Sequence, residues 1–226
     1  MEALGVLLPL SLGVALSSVP IMAVVVILLS PRGRASGVGF LIGYFIGLGL
    51  VTMVFTIGLA YLPRIQGHPR QPIVGTLEIL LGIVMIGYAI YGVRRTRRLA
   101  KNPSELPPEV PIWLRRMAKL GPFQAFAVGI ILNLRPKALV LAIAAGLAIS
   151  SAGASITEAL VLTGIYVVIG VSTVAVPVVV VFAAPERAGT ILKRMRTWIE
   201  RNSTLVSSVV ILMVGVVLIG DALSRL

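Results

Sequence analysis

Residues 129–137 read Gly-Ile-Ile-Leu-Asn-Leu-Arg-Pro-Lys and lie in the middle of a long apolar run. A proline inside a helix removes one backbone hydrogen bond and drives the residue before it out of the helical conformation. The stretch therefore predicts a membrane helix that breaks at Pro136, with Arg135 and Lys137 beside the break. A cation at the centre of a membrane helix costs from about 2.5 to above 10 kcal/mol, so both side chains should face a cavity, a partner or a ligand.

A second stretch, residues 13–20, shows the same pattern 116 residues earlier and reads Gly-Val-Ala-Leu-Ser-Ser-Val-Pro. Glycine, a small polar residue and proline recur at equal spacing, near the middle of the first and fourth predicted spans. Because these spans are an odd number of helices apart, the two halves of the chain are predicted to insert with opposite orientation. Inverted halves recur among transporters, whose substrate site lies at the bilayer midplane where broken helices meet.

The two breaks predict a polar midplane site that holds an anionic group. A helix N-terminus carries about half a positive charge and exposes unpaired N–H groups, and both favour an anion. The alternative is an internal ion pair between a cation of the fourth span and a buried carboxylate, with Glu78 as the first candidate and Asp221 as the second. The residues predicted to form the transport site are Ser17, Ser18, Pro20, Asn133, Arg135, Pro136 and Lys137.

Six apolar runs are long enough to cross a membrane, which takes roughly 20 residues. Backbone groups in hydrocarbon must be satisfied internally, so the runs are predicted to be helices. The sequence thus predicts an all-α integral membrane protein with one domain of six transmembrane helices, arranged as a 3+3 inverted repeat with helices 1 and 4 broken. Repeat one takes about 1–93, a basic linker about 94–121, and repeat two about 122–226. The spans lie at about 4–30, 37–62, 72–93, 122–150, 157–184 and 203–224.

The composition excludes a soluble globular domain. Of the 226 residues, 58% are hydrophobic and 12% are charged, whereas soluble domains average about 45–50% and 25%. The net charge of +12 is carried between apolar runs, so it indicates membrane topology rather than nucleic-acid binding. With no cysteine and one histidine, the sequence offers no thiolate or polyhistidine metal site. It also has no nucleotide-binding loop, metal-ligand cluster or nucleophile–base set, so no cofactor is predicted and the protein is not expected to be an enzyme.

The positive charges set the predicted orientation. Fifteen of the twenty Lys and Arg residues lie in three loops, at 31–36, 94–121 and 185–202. Because cytoplasmic loops carry the excess of positive charge, these loops are predicted to be cytoplasmic and both termini to lie outside a plasma membrane. Apolar residues at helical spacing in the two longer loops predict interfacial helices on an anionic leaflet. The first span is expected to be retained rather than cleaved as a signal peptide.

The second span carries a stripe of glycines, Gly39, Gly43 and Gly47, one every four residues. Small residues at this spacing let two membrane helices approach closely. The partner is either another helix of the same chain or a second copy in a homodimer. Gly13 and Gly129, beside the two breaks, are predicted to serve the same packing role.

Residues 17–20 (Ser-Ser-Val-Pro), 30–34 (Ser-Pro-Arg-Gly-Arg) and 133–137 (Asn-Leu-Arg-Pro-Lys) resemble the GAP family of the lysine exporter superfamily. That superfamily often shows Asn-Pro-Lys in its fourth helix. Here Leu134 and Arg135 stand between the asparagine and the proline, so the Pro-Lys pair carries the match. The family comprises the sulfolipid-addressing and glycopeptidolipid-addressing proteins. The resemblance implies export of solutes or envelope lipids across the plasma membrane, often by homodimers.

The predicted function is export of an anionic envelope lipid or glycolipid across the plasma membrane or to its outside. The alternative is a secondary exporter of an amino acid or another small solute, coupled to protons or cations through Glu78. A third hypothesis is a membrane adaptor whose basic loops recruit a lipid-synthesis or export partner. The partners expected are therefore the bilayer with its anionic lipids, a second copy of the chain and such proteins, but no nucleic acid.

Overall fold

The computed structural model describes residues 2–60, 117, 120–153, 155–195 and 197–198, with scattered positions between 79 and 94 and between 208 and 220. Every regular element in these ranges is helical, which confirms the all-α prediction for the described residues. A 3₁₀ turn occupies Leu132–Leu134, and residues 185–195 are helical. The helices are α1 (Glu2–Ala15), α2 (Ser18–Leu28), α3 (Gly33–Ala60), α4 (Pro122–Ile131), α5 (Pro136–Ser151) and α6 (Ile156–Ala183).

Two of these helices, α3 and α6, are each 28 residues long and apolar enough to cross a membrane. The pair Leu4–Ala15 and Ser18–Leu28 is bent by 43°, and the pair Pro122–Leu134 and Pro136–Ser151 by 68°. If each bent pair is one span, the described residues hold up to four spans. They correspond to the first, second, fourth and fifth predicted spans. The third and sixth lie largely outside the described residues, as do Glu78 and Asp221.

Helix α6 begins at a reciprocal cap. The Glu158 backbone N–H donates to Ser155 Oγ at 3.4 Å, and the Ser155 backbone N–H donates to Glu158 Oε2 at 2.8 Å. This capping box satisfies backbone groups that have no partner within the helix. The Glu158 carboxylate therefore has a structural role at the helix end.

Helix α3 lies at the centre of the described bundle and packs against α4, α5 and α6. Its buried side chains Phe40, Tyr44 and Leu48 recur every four residues and so form one face. Helix α3 runs in the same direction as α4 and α5, because Gly39 lies against Pro122 and Gly146 lies against Phe55. Helix α1 packs against α5 and α6.

The glycine stripe of α3 lies against α4 of the same chain. A Cβ atom added to Gly43 would lie 2.0 Å from the Phe126 carbonyl oxygen, and one added to Gly129 would lie 2.5 Å from the Phe40 carbonyl oxygen. No Cβ atom is tolerated at such distances from backbone, so only glycine permits this approach of α3 and α4. The described residues thus give the stripe an intramolecular partner. Gly13 is buried on α1.

The third and sixth predicted spans contact each other at two further glycines. A Cβ atom on Gly82 would lie 2.9 Å from the Gly215 carbonyl oxygen and 2.6 Å from Ile219 Cγ1. The described positions around both glycines are helical. This part of the chain therefore repeats the glycine-mediated helix contact seen between α3 and α4.

Candidate functional site

The break between α4 and α5 is built by the sequence around Pro136. The 3₁₀ turn ends α4, Arg135 adopts an extended conformation with φ −72° and ψ 149°, and Pro136 is the first residue of α5. Proline suits this position because its ring fixes a helical φ. Its lack of an N–H costs nothing there, because the N–H of a first-turn residue has no partner within the helix. The extended Arg135 follows from the steric restriction on a residue that precedes proline.

Asn133 joins the break to α3. Its side chain is 1% exposed, and Nδ2 donates to the Tyr44 carbonyl oxygen at 3.3 Å and to the Gly129 carbonyl oxygen at 3.0 Å. Gly47 makes room for this amide, since a Cβ atom there would lie 2.8 Å from Nδ2. Both amide hydrogens are thus used. Asn133 Oδ1 is buried with no hydrogen-bond partner among the described residues.

Arg135 and Lys137 lie half-buried beside the break. Arg135 Nε donates to the Leu132 carbonyl oxygen at 2.9 Å, which leaves the rest of the guanidinium for other partners. The two cations are close enough to repel each other. No carboxylate in the described ranges forms an ion pair with either one, and the predicted partners Glu78 and Asp221 lie outside those ranges. The arrangement concentrates positive charge where the surroundings are largely apolar.

Three further polar side chains are buried in α3 and α6, and the sequence did not predict a role for them. The Tyr44 hydroxyl is within electrostatic reach of the Arg135 guanidinium and of the Tyr166 hydroxyl. Tyr166 and Thr52 are both fully buried, and neither hydroxyl has a partner in the part of the chain that the structure describes. Buried polar groups are normally hydrogen-bonded. Asn133 Oδ1 and these two hydroxyls are thus buried without a partner among the described residues.

The first break differs from its predicted position. Ser17 is extended, with φ −72° and ψ 112°, and α2 begins at Ser18. By analogy with Pro136, Pro20 should be the first residue of α2 and Val19 should be extended, but Pro20 is the third residue of α2 and Val19 is helical. The reason is that the first four N–H groups of any helix lack intrahelical partners, so proline fits throughout the first turn. Ser17 and Pro20 are buried and Ser18 is half-buried.

Helix α6 satisfies a backbone group that the first break sets free. In an unbroken helix the Ala15 carbonyl oxygen would accept from the Val19 N–H. Here it accepts a hydrogen bond from Thr173 Oγ1. Thr173, whose role was not predicted from the sequence, thus connects the first break to α6.

We expect Thr173→Val to lower the free energy of unfolding by about 0.6–1.7 kcal/mol, since interhelical hydrogen bonds in membranes contribute that much. Thermal unfolding of the purified protein in detergent measures the effect. The control is Ser172→Ala, because the Ser172 hydroxyl is exposed and, among the described residues, bonds within its own helix to the Ile169 carbonyl oxygen. Equal melting temperatures for the two variants would contradict the role given to Thr173.

Both breaks pack against the region where α3 and α6 cross. A Cβ atom on Gly47 of α3 would lie 2.8 Å from Ile130 Cα, beside the second break. A Cβ atom on Gly170 of α6 would lie 3.1 Å from both Val14 Cγ1, beside the first break, and Leu48 Cδ2 of α3. Each broken helix therefore packs on a long helix from the other half of the chain.

A family model described as Sap, sulfolipid-1-addressing protein, matches residues 7–224. The match includes both breaks, the glycine stripe and the half-buried cations. No curated protein and no solved structure matches the chain.

Proposed function

The chain belongs to the sulfolipid-1-addressing protein family, and from this membership we propose that it exports an anionic envelope lipid or glycolipid across the plasma membrane. The observation that carries the proposal is the pair of half-buried cations, Arg135 and Lys137, at the break between α4 and α5. A sulfolipid has an anionic headgroup, for which such a site provides opposite charge. We also propose that the chain belongs to the wider lysine exporter superfamily.

The chemistry of the break suits a headgroup that is both anionic and hydroxylated. Arg135 and Lys137 donate charge-assisted hydrogen bonds to the anion, which are roughly twice as strong as neutral ones. The first N–H groups of α5 add a positive dipole at the same point. Asn133 Oδ1 is an acceptor and takes a ligand hydroxyl, while Tyr166 can donate or accept.

The position of the break suits a lipid whose chains stay in the bilayer. Ile131 and Leu134, on either side of the buried Asn133, are 58% and 55% exposed. The exposed face of the break is thus apolar, while Asn133 points inward to α3. We propose that the headgroup enters the site from the side while the acyl chains remain in hydrocarbon, which lets a small protein move a large lipid.

We propose that six spans form a 3+3 inverted repeat of the kind found in transporters. Val14 and Ile130, which pack on Gly170 and Gly47, are 116 residues apart, the same offset as the two proline motifs. Helices α3 and α6 have equal lengths. These equivalences support a twofold relation in which the two halves rock about the crossing of α3 and α6.

We also propose an orientation of the protein in the membrane and a chemical role for it. The three basic loops face the cytoplasm, both termini lie outside, and the protein is a transporter without cofactor rather than an enzyme. A homodimer is part of the same proposal. Because the described part of the glycine stripe packs within the chain, a dimer contact would use another surface.

A small-solute exporter is the second candidate, and one observation favours it. Asn133 and Tyr166 are each at most 1% exposed, so their part of the site is closed. A closed site accommodates an amino acid or a similar solute more readily than a whole headgroup. In this version Glu78 couples export to protons or cations.

A comparative profile of cells tests the proposal. Lipids and metabolites are measured in surface and internal fractions of wild-type cells, deletion cells, and deletion cells that express Lys137→Ala. We expect an anionic lipid to fall at the surface and accumulate inside in both mutant strains. Accumulation of a small solute instead would favour the second candidate. A lipid change in deletion cells that Lys137→Ala restores would contradict a transport site and indicate an adaptor.

A further inference from the structure

Two cavities lie along α3 and α6, and neither is lined by residues of the break between α4 and α5. The first has a volume of about 590 Å³ and is lined by the α2–α3 turn, including Arg32 and Arg34, and by residues 185–192. The second has a volume of about 650 Å³ and is an open groove between α3 and α6. Apart from Ser172, its lining is apolar.

The two cavities follow one another along the same helix faces. Arg34 lines the first cavity, and Leu41 and Phe45, seven and eleven residues further along α3, line the second. Residues at these spacings share one face of an α-helix. On α6, Val181 lines the first cavity and Val180 the second. A basic cavity therefore lies at one end of an apolar groove.

The groove has the length of one membrane leaflet. Along α6 it extends from Val168 to Val180, which at 1.5 Å per residue is about 18 Å. Half of the hydrocarbon core of a bilayer is about 15 Å. A single acyl chain laid along the groove would thus reach from the basic cavity to about the membrane midplane.

The charge at the end of the groove favours an anion. Arg32 and Arg34 are exposed, and Arg187 is exposed on the helical stretch that lines the same cavity. Glu186, also exposed, precedes Arg187 in the same stretch, and neither residue belongs to the cavity lining. The described lining of the cavity thus holds two exposed cations, Arg32 and Arg34, and no carboxylate, and cations at this level attract the anionic headgroups of a leaflet.

We propose that these two cavities bind one anionic phospholipid of the surrounding leaflet, with its phosphate against Arg32 and Arg34 and one acyl chain in the groove between α3 and α6. The site shares no residue with the break at Pro136. It therefore does not depend on the proposed export of an envelope lipid. The proposed site holds a resident lipid at the N-terminal end of α3, next to the turn that carries Arg32 and Arg34.

The headgroup part is tested by native mass spectrometry of protein extracted from vesicles of equal phosphatidylglycerol and phosphatidylcholine content. We expect wild-type protein to retain phosphatidylglycerol at least several-fold over phosphatidylcholine. Arg32→Gln with Arg34→Gln should abolish this preference. Arg194→Gln, which removes an exposed cation outside the cavity lining, should keep it. Equal retention of both lipids by wild-type protein, or an unchanged preference in the double variant, would overturn the proposal.

The acyl part is tested by filling the groove. Val176→Trp should lower retention of the bound lipid several-fold, whereas Val54→Trp, at an exposed position of α3 outside the lining, should not. If Val176→Trp instead converts dimers to monomers and leaves lipid retention unchanged, the groove is a subunit contact and the proposal is wrong. Lys137→Ala should leave retention at this site unchanged even if it abolishes export.

Discussion

Lys137→Ala is expected to lower the initial rate of export at least about tenfold, because a hydrogen bond to a charged group contributes about 1.5–3 kcal/mol and the alanine supplies neither charge nor donor. Lys137 lies half-buried in the first turn of α5, where the break exposes unpaired N–H groups. It is a cleaner test than Arg135, whose Nε bonds the Leu132 carbonyl oxygen and so also supports the break. The appearance of a labelled anionic glycolipid in the outer leaflet of proteoliposomes measures the rate.

Two further variants show whether a loss of export in Lys137→Ala comes from the missing charge or from a damaged fold. Lys137→Arg keeps the charge and should retain part of the rate. Arg194→Ala removes an exposed cation remote from the break and should transport like wild type. A Lys137→Ala protein that is folded and transports at the wild-type rate would contradict a cargo site at this break.

Gly43→Ala is expected to have the largest effect on folding. The added Cβ atom would lie 2.0 Å from the Phe126 carbonyl oxygen, and backbone cannot move aside as a flexible side chain can. Overpacking of this kind costs about 1–3 kcal/mol or more. Helices α3 and α4 must separate, which also moves Asn133 and the break. The yield of monodisperse protein and its melting temperature should both fall.

Gly58→Ala is the matched control for Gly43→Ala. Gly58 lies in the same helix, and a Cβ atom added there would meet nothing within 4 Å. Alanine is favoured over glycine within a helix by about 1 kcal/mol, so this variant should be at least as stable as wild type. Equal melting temperatures for Gly43→Ala and Gly58→Ala would show that α3 and α4 do not pack as closely as described.

The sequence predicted the second break well because its cause is local. The ring of Pro136 and its effect on Arg135 act within two residues, so no knowledge of the fold was needed. The first break lies at Ser17 rather than directly before Pro20, because a proline is tolerated anywhere in the first turn of a helix. There the end of α1 is fixed by Ser17 and by the hydrogen bond from Thr173, which is remote in sequence.

The polar groups around the break could not be predicted in the same way. Tyr44 and Tyr166 are single polar residues in apolar runs, and they lie close together because α3 packs against α6. One pattern in the sequence does indicate a polar face on α6. Thr163, Tyr166 and Thr173 share one face of α6. The glycine spacing likewise predicted close packing, but it did not name α4 as the partner.

The most direct test of the central claim uses the absence of cysteine in the chain. Lys137→Cys and, as a lipid-facing control, Val54→Cys are each exposed in proteoliposomes to membrane-impermeant anionic and cationic thiol reagents. A polar site beside Arg135 predicts that Lys137→Cys reacts with both, and faster with the anionic reagent, while Val54→Cys stays unmodified. If Lys137→Cys is as unreactive as Val54→Cys, the break between α4 and α5 forms no site that an anionic cargo can enter.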